Sequence, residues 1–341
     1  MNDTFLKACR GEKTDYTPVW IMRQAGRYLP QYRKVREKVD FLTLCKTPEL
    51  AAEVTLQPID ILKVDAAILF SDILIPIEPM GIKLEFSESK GPILHNPVRD
   101  EASLLRLRDI DPAEDVPFVA EAIKLLLKQL DVPLIGFSGA PFTLATYMIE
   151  GGSTKNFINS KKMMYQNPVL FHSLMEKLTV TVISYLQAQI DAGVHAVQIF
   201  DSWVGSLSPL DFKLFALPYV QRIISSLNAK IPVIYFAFNG SAMLPLVNQS
   251  GADVIGLDWR IDMADAINTL GTSCRVQGNL DPCILFGTRD VIRGRVSYVL
   301  KGAEGARSHI FNLGHGILPE VPVDNAISMV EAVHELSSKG R

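Results

Sequence analysis

Closely spaced cysteines are missing from this chain: its four stand at positions 9, 45, 274 and 283. That spacing argues against a disulfide framework or a structural zinc site and predicts free thiols in a reducing cytoplasm. No run reaches the roughly 18 uninterrupted apolar residues of a membrane span. The opening MNDTFLKACRGEKTDYTP has no apolar h-region and no small-residue cleavage site, which predicts no secretory leader. Positive charge is not in excess either: 34 Lys and Arg oppose 37 Asp and Glu, a net charge of −3. A whole-surface attraction to nucleic acid or to an anionic membrane is therefore not expected.

Cofactor signatures are absent as well. There is no G-x-x-x-x-G-K-[ST], no strand-led G-x-G-x-x-G and no G-x-S-x-G, so nothing points to a nucleotide, a flavin or a serine nucleophile. H-E-x-x-H and His-x-Cys pairs are missing, and no lysine ends an apolar run where a Schiff base would be expected. What remains is ordinary globular composition, 48% hydrophobic and 21% charged over 341 residues. Length alone would suggest two domains, but no low-complexity linker or internal repeat divides the chain. One domain over 1–341 is expected.

Eight short apolar runs follow one another, each ending at Gly, Asp, Asn, Ser or Arg. They are PVWIM (18–22), AAILF (66–70), VPLIGF (132–137), HAVQIF (195–200), IPVIYFAF (231–238), ADVIGL (252–257), CRVQG (274–278) and HIFNL (309–313). Most are continuous rather than alternating, as parallel strands covered on both faces require. Helix-period segments separate them. The stretch 47–62 opens with Thr47 as N-cap and Pro48 at the first helical position, and 208–227 opens with Ser208 and Asp211 at capping-box spacing. This alternation predicts an α/β fold, a (β/α)8 TIM barrel, with insertions after the early strands. One insertion, 73–98, reads as a hairpin excursion.

A barrel of this kind carries its chemistry in the loops after the strands. The first of these loops is cationic: from 23 to 38 six basic residues face one acid, Glu37, a local +5. Arg33, Lys34, Arg36 and Lys38 fit a solvated helix or entrance steering. Arg23 and Arg27 differ, because they flank Gly26 directly after a strand and their guanidinium forks suit carboxylate or phosphate. Asp72 reads either as a cap or ion partner, or as one carboxylate held in a cationic pocket to stabilise positive charge. Tyr147 is either a core tyrosine or a neutral donor, and His315 in GHG is either structural or close to a ligand. Phe70, Phe137, Phe200 and Phe238 end four strands and offer packing or flat apolar walls. The glycines at 151 and 152 suggest a mobile edge over 151–157.

PVWIMRQAGRYLPQYR, LFSDILIP, GAPFTLATYMIEGG, FDSWVG and FNLGHGI, in that order, resemble the uroporphyrinogen decarboxylase family from about residue 3 to 335. The resemblance implies a (β/α)8 homodimer that removes carbon dioxide from the four acetate side chains of uroporphyrinogen III, giving coproporphyrinogen III without a cofactor or metal. It places the family's active-site arginines on Arg23 and Arg27 and its pocket aspartate on Asp72. Its tyrosine falls on Tyr147, its Phe-acid-Ser motif on Phe200, Asp201 and Ser202, and its histidine on His315. Arg23 and Asp72 are the expected catalytic pair, and the others are expected to bind substrate. Two rivals compete: a corrinoid-linked methyltransferase on the same barrel, which needs zinc ligands absent here, and a non-catalytic tetrapyrrole carrier, which would need the arginines but not Asp72.

Overall fold

The structure, a computed structural model, describes residues 1–87, 91–227 and 231–338. Strands β1 (Ala67–Ile68), β4 (Leu134–Gly139), β5 (Ala196–Asp201), β6 (Val233–Ala237), β7 (Val254–Gly256), β8 (Arg275–Leu280) and β9 (Ser308–Leu313) form one parallel sheet in that order, while β2 (Leu84–Ser87) and β3 (Gly91–Leu94) form a separate antiparallel hairpin. The hairpin is the excursion expected over 73–98; residues 88–90, between its strands, lie outside the described residues. Strand order follows chain order because each βα unit sets its next strand beside the last, with the helix returning over the outer face.

The sheet has seven strands among the described residues, where eight were expected. Segment 18–22 makes a single bridge, Val19 to Phe311. Phe311 N–H donates to Pro18 O at 2.8 Å and Asp65 N–H to Val19 O at 2.8 Å, so the segment does lie between β9 and the start of β1. Side chains capture the donors that a ladder would need. Val19 N–H goes to Asp65 Oδ2 (2.8 Å), Ile21 N–H to Gln24 Oε1 (3.0 Å) and Met22 N–H to Asn312 Oδ1 (3.0 Å). Pro18 has no N–H to give.

Helix ends depart from expectation at two points. Thr47 occupies the N-cap position, but its hydroxyl donates to Thr43 O at 2.8 Å and caps nothing. The helix expected over 208–227 is two, Pro209–Phe215 and Leu217–Ser226, broken at Ala216. Pro218 explains the break, since it removes an amide donor and its ring collides with the preceding turn. Ser208 caps as expected, accepting Asp211 N–H at 3.1 Å. Helix Pro168–Ala192 is long and apolar enough to cross a membrane, yet 56% of its apolar 18-residue window is buried inside the fold, as suits a core helix.

Strand alternation sorts the sheet into two cores. One face of the sheet packs Ala66, Ile68, Ile135, Ala196, Ile234, Val254 and Ile310 around Trp20 and around Phe5, Leu6 and Cys9 of helix Thr4–Arg10. The other face, with Val197, Ile199, Tyr235 and Val276, packs against the helix layer. On the first face Trp20 Nε1–H donates to Gln277 Oε1 (2.9 Å) and Gln277 Nε2–H to Gln198 Oε1 (3.0 Å), a chain that ends at Gln198 Nε2 without a partner among the described residues. Each of the bonded groups, left unpaired, would cost about 1–3 kcal/mol.

Candidate active site

Parity along the strands decides which rim residues belong to the site. On β5, Ala196 and Phe200 lie on the inner face, and register sets Phe200 beside Gly139 of β4 and Phe236 of β6. Phe137, Phe200, Phe236 and Phe238 then form a run of ring contacts, with centroids 5.6, 6.3 and 6.2 Å apart, that ends on His315 at 4.5 Å from Phe238. The strand-ending phenylalanines, expected to give either packing or apolar walls, pack on one another here. Phe70 takes a different course and packs against Tyr32 and Phe41.

Asp201, one residue on, points the opposite way. It is fully buried, accepting Thr143 Oγ1–H (2.6 Å) and Tyr235 Oη–H (2.8 Å), so it braces β5 against β6 and helix Pro141–Glu150. Asp258 is a second strut. Its carboxylate accepts Asn239 N–H (2.6 Å) and Arg260 N–H (2.8 Å) and ties the loops after β6 and β7 together. The sequence shows both as acids at strand ends; only side-chain direction shows that they are not site carboxylates.

The Arg23 charge acts on Asp72, Tyr147 and His315, which ties these four residues to one region. Burial pushes the Asp72 carboxyl above its ordinary range, against the opposing pull of the Leu74 N–H (2.9 Å) and of the Arg23 charge. Burial also raises the Tyr147 phenol, helped by the Asp72 charge. His315 is pushed down to about 4, first by burial and then by the Arg23 and Arg260 charges, so it is neutral at pH 7. Arg23 itself holds a left-handed backbone, φ 63°. Gly316 leaves the space it occupies: a Cβ there would stand 2.3 Å from Arg23 Cδ. A neutral imidazole, a phenol, a guanidinium and a desolvated carboxylate can bind carboxylates and hold a cation at one place.

Other expected residues are less tied to this group. Arg27 is exposed, as Arg23 is; burial raises the Tyr32 phenol, and the Arg27 charge pulls it down. Ser202 is partly buried at the end of β5, beyond Asp201. Arg33 is not simply solvated: its guanidinium donates to Arg27 O (2.7 Å) and Tyr28 O (3.2 Å), which clamps the rim loop. The expected mobile edge is anchored at both ends. Gly151 O accepts Leu94 N–H at 2.9 Å and Gly152 bridges Ile93, while Phe157 packs on Trp203 at 5.4 Å. A Cβ on Gly152 would meet Pro92 O at 2.7 Å, so glycine is there for close approach. Sequence reasoning missed Trp203, which packs on Tyr147 at 5.6 Å, and Arg260. A groove of about 670 Å³ between helices Pro30–Arg36 and Pro48–Leu62 has mixed charge from Lys34, Lys38, Glu49 and Glu53 and includes no part of this cluster.

Asp201 and His309 predict opposite pH effects. Burial raises Asp201 to about 6, so the folded state keeps that proton longer than the unfolded chain, and stability falls as pH rises from 3.8 to 6. His309, donating to Gly278 O at 2.7 Å, is pushed down to about 4 by burial; its contribution is lost as pH falls from 6.5 to 4. At 1.36 kcal/mol per pKa unit, moving from pH 7 to 4.5 should cost Asp201→Asn about 2 kcal/mol more than the parent. The same move should cost His309→Gln about 2.4 kcal/mol less than the parent. Urea unfolding at the two pH values checks this; parallel losses in all three proteins would contradict it.

The parallel α/β sheet carries an arginine, a raised carboxyl and packed aromatic rings in the loops at the carboxyl-terminal ends of its strands, the arrangement of an α/β enzyme. The family model described as "Uroporphyrinogen decarboxylase (URO-D)" matches residues 1–336, and the chain belongs to that family. It is 58% identical over 340 residues to the uroporphyrinogen decarboxylase of Desulfotalea psychrophila, covering 99% of this chain and 100% of that one. With the protein of the same name from Carboxydothermus hydrogenoformans identity is 55%, covering 99% and 97%. Among solved structures, a methyltransferase from Methanosarcina mazei superposes with TM-score 0.80 at 22% identity, covering 98% of each chain. A B12-independent methionine synthase from Shewanella sp. W3-18-1 gives 0.60 at 13%, covering 88% and 90%. These two likenesses concern the fold. Among the described residues no three His, Cys, Asp or Glu side chains converge as a metal's ligands.

Proposed function

We propose that this enzyme decarboxylates the four acetate side chains of uroporphyrinogen III to yield coproporphyrinogen III. The observation that carries the reading is full-length membership of the family together with the Arg23, Asp72, Tyr147 and His315 cluster. Each step takes up one proton and releases one carbon dioxide. Protonation of a pyrrole ring carbon makes a cation conjugated to the acetate methylene. The carbon–carboxylate bond then breaks, its electron pair neutralises the ring, the ring carbon gives back its proton, and the methylene is protonated to methyl. The substrate supplies its own electron sink, so the reading needs no cofactor or metal.

Asp72 accepts the pyrrole N–H groups and balances the ring cation. A carboxylate kept above its usual range by burial gains most from an arriving positive charge. Arg23 holds the reacting acetate, Arg27 another carboxylate at the entrance, and Tyr147, Ser202 and neutral His315 position the rest. Phe200 and its neighbours face the macrocycle. We read segment 18–22 as the stave that closes the sheet into an eight-stranded barrel, supported by its bonds to Phe311 and Asp65. A cytoplasmic homodimer working on small molecules, with no nucleic acid or membrane partner, belongs to the same reading and rests on the family.

Anaerobic incubation with uroporphyrinogen III, followed by chromatography of the oxidised products, tests the activity directly. Hepta-, hexa-, penta- and then tetracarboxylates are expected in turn. An unchanged octacarboxylate pool would refute the assignment.

A further inference from the structure

Arg260 stands in the loop after β7 with its backbone N–H pinned by Asp258, a carboxylate 2% exposed and so held rigid. The guanidinium lies over two rings at once, 4.0 Å from the Trp259 centroid and 5.0 Å from Phe238. Those rings are 5.7 Å apart, and Phe238 in turn packs on His315 at 4.5 Å. Aromatic faces under a guanidinium leave its edge and all its N–H donors free to reach outward. Asp258 Oδ1, at 3.8 Å, is too far for a hydrogen bond, and no described residue accepts one from the guanidinium. Its side chain is 43% exposed.

Most clamped arginines of this chain look different. Arg33 donates to Arg27 O, Arg99 to Ile149 O, and Arg275 to Asp253. Arg260 is preorganised by its floor and, beyond a long ion pair with Asp258 at 3.8 Å, its guanidinium makes no hydrogen bond to a described residue; it lies on the Phe238–His315 side of the strand ends. Phe238 links Arg260, 5.0 Å above it, to His315 at 4.5 Å, and Gly316 beside His315 borders the Arg23 side chain, so His315 stands between the two arginines' neighbourhoods.

We propose that Arg260 is a substrate-binding residue of this enzyme, a further carboxylate receptor on the β7 side of the mouth that acts with Arg23 to hold the substrate's side chains. The inference rests on the decarboxylase reading and assigns a residue to the same site. A planar fork on a fixed aromatic floor favours a carboxylate in the plane of the fork, so the effect is on binding and orientation and not on the reacting bond. The carboxylate is either a propionate, kept through all four steps, or an acetate, lost during them.

Steady-state rates of wild type, Arg260→Gln and Arg260→Lys test this with uroporphyrinogen III and, separately, with the heptacarboxylate and pentacarboxylate intermediates. Wild-type turnover is the control: its absence would bring down the functional reading itself and not this assignment. Arg260→Gln is expected to raise KM for the octacarboxylate about tenfold with kcat within about twofold, and Arg260→Lys to recover only part. A tenfold rise at every stage marks a propionate; a rise confined to the early stages marks an acetate. Unchanged KM in Arg260→Gln, or a fall in kcat at unchanged KM, overturns the proposal.

Discussion

Asp72→Asn is expected to lose on the order of 10³-fold in turnover while the folded protein becomes more stable at pH 7. The two signs come from one cause. Burial raises the Asp72 carboxyl, so the ionised form costs the empty protein stability at neutral pH. Asn keeps the shape, and its Oδ1 can still accept the Leu74 N–H that now lies at 2.9 Å. What disappears is the negative charge, and with it the group that balances a cationic pyrrole in a water-poor site. Single-turnover rates with uroporphyrinogen III and urea midpoints at pH 7 measure both quantities. Turnover within tenfold of wild type would remove Asp72 from the mechanism.

Arg23 makes a similar trade through its backbone. A left-handed conformation, φ 63°, costs a residue with a Cβ about 1–2 kcal/mol, and Gly relieves it while adding about 0.5–1 kcal/mol of unfolded-state freedom. Arg23→Gly should therefore match or exceed wild type in stability by up to about 1 kcal/mol. It should nevertheless lose about 30- to 100-fold in kcat/KM, the worth of charge-assisted bonds to a carboxylate. Arg23→Lys keeps the strain and the charge but not the fork, and should lose most of the same activity. Gly316→Ala reaches that result from the other side, because its Cβ would stand 2.3 Å from Arg23 Cδ and drive the guanidinium away. Thermal melts with kinetics on the three variants separate the effects. A strongly destabilised Arg23→Gly would mean that the arginine serves the fold.

Seven of the eight strands were legible because both faces of each are covered. Val197 and Ile199 meet helices while Ala196 and Phe200 meet the interior, so the whole run is apolar. The eighth run has the same composition, but Asp65, Gln24 and Asn312 accept its N–H groups, and nothing local announces that competition. The helix break at Ala216 was legible in principle from Pro218. At the site, Arg23 and Asp72 were readable as charges following apolar runs. Arg260 was not: it lies two residues past a rim acid, and its role depends on Phe238, a ring 22 positions away in the chain that folds beneath it.

By itself, the sequence determined the order of strands and helices, the absence of cofactor motifs and the cationic first loop, since these follow from composition, period and spacing. Its motifs also determined the family. Only the tertiary structure decided that Asp201 and Asp258 are struts, that Arg33 clamps a loop, and that Arg23, Asp72, Tyr147 and His315 belong to one region. The physical reason is that a side chain's role depends on the face it takes and the neighbours it meets. One residue of strand parity separates Phe200 in the interior from Asp201 in the helix layer, and register and twist set that parity over the whole sheet.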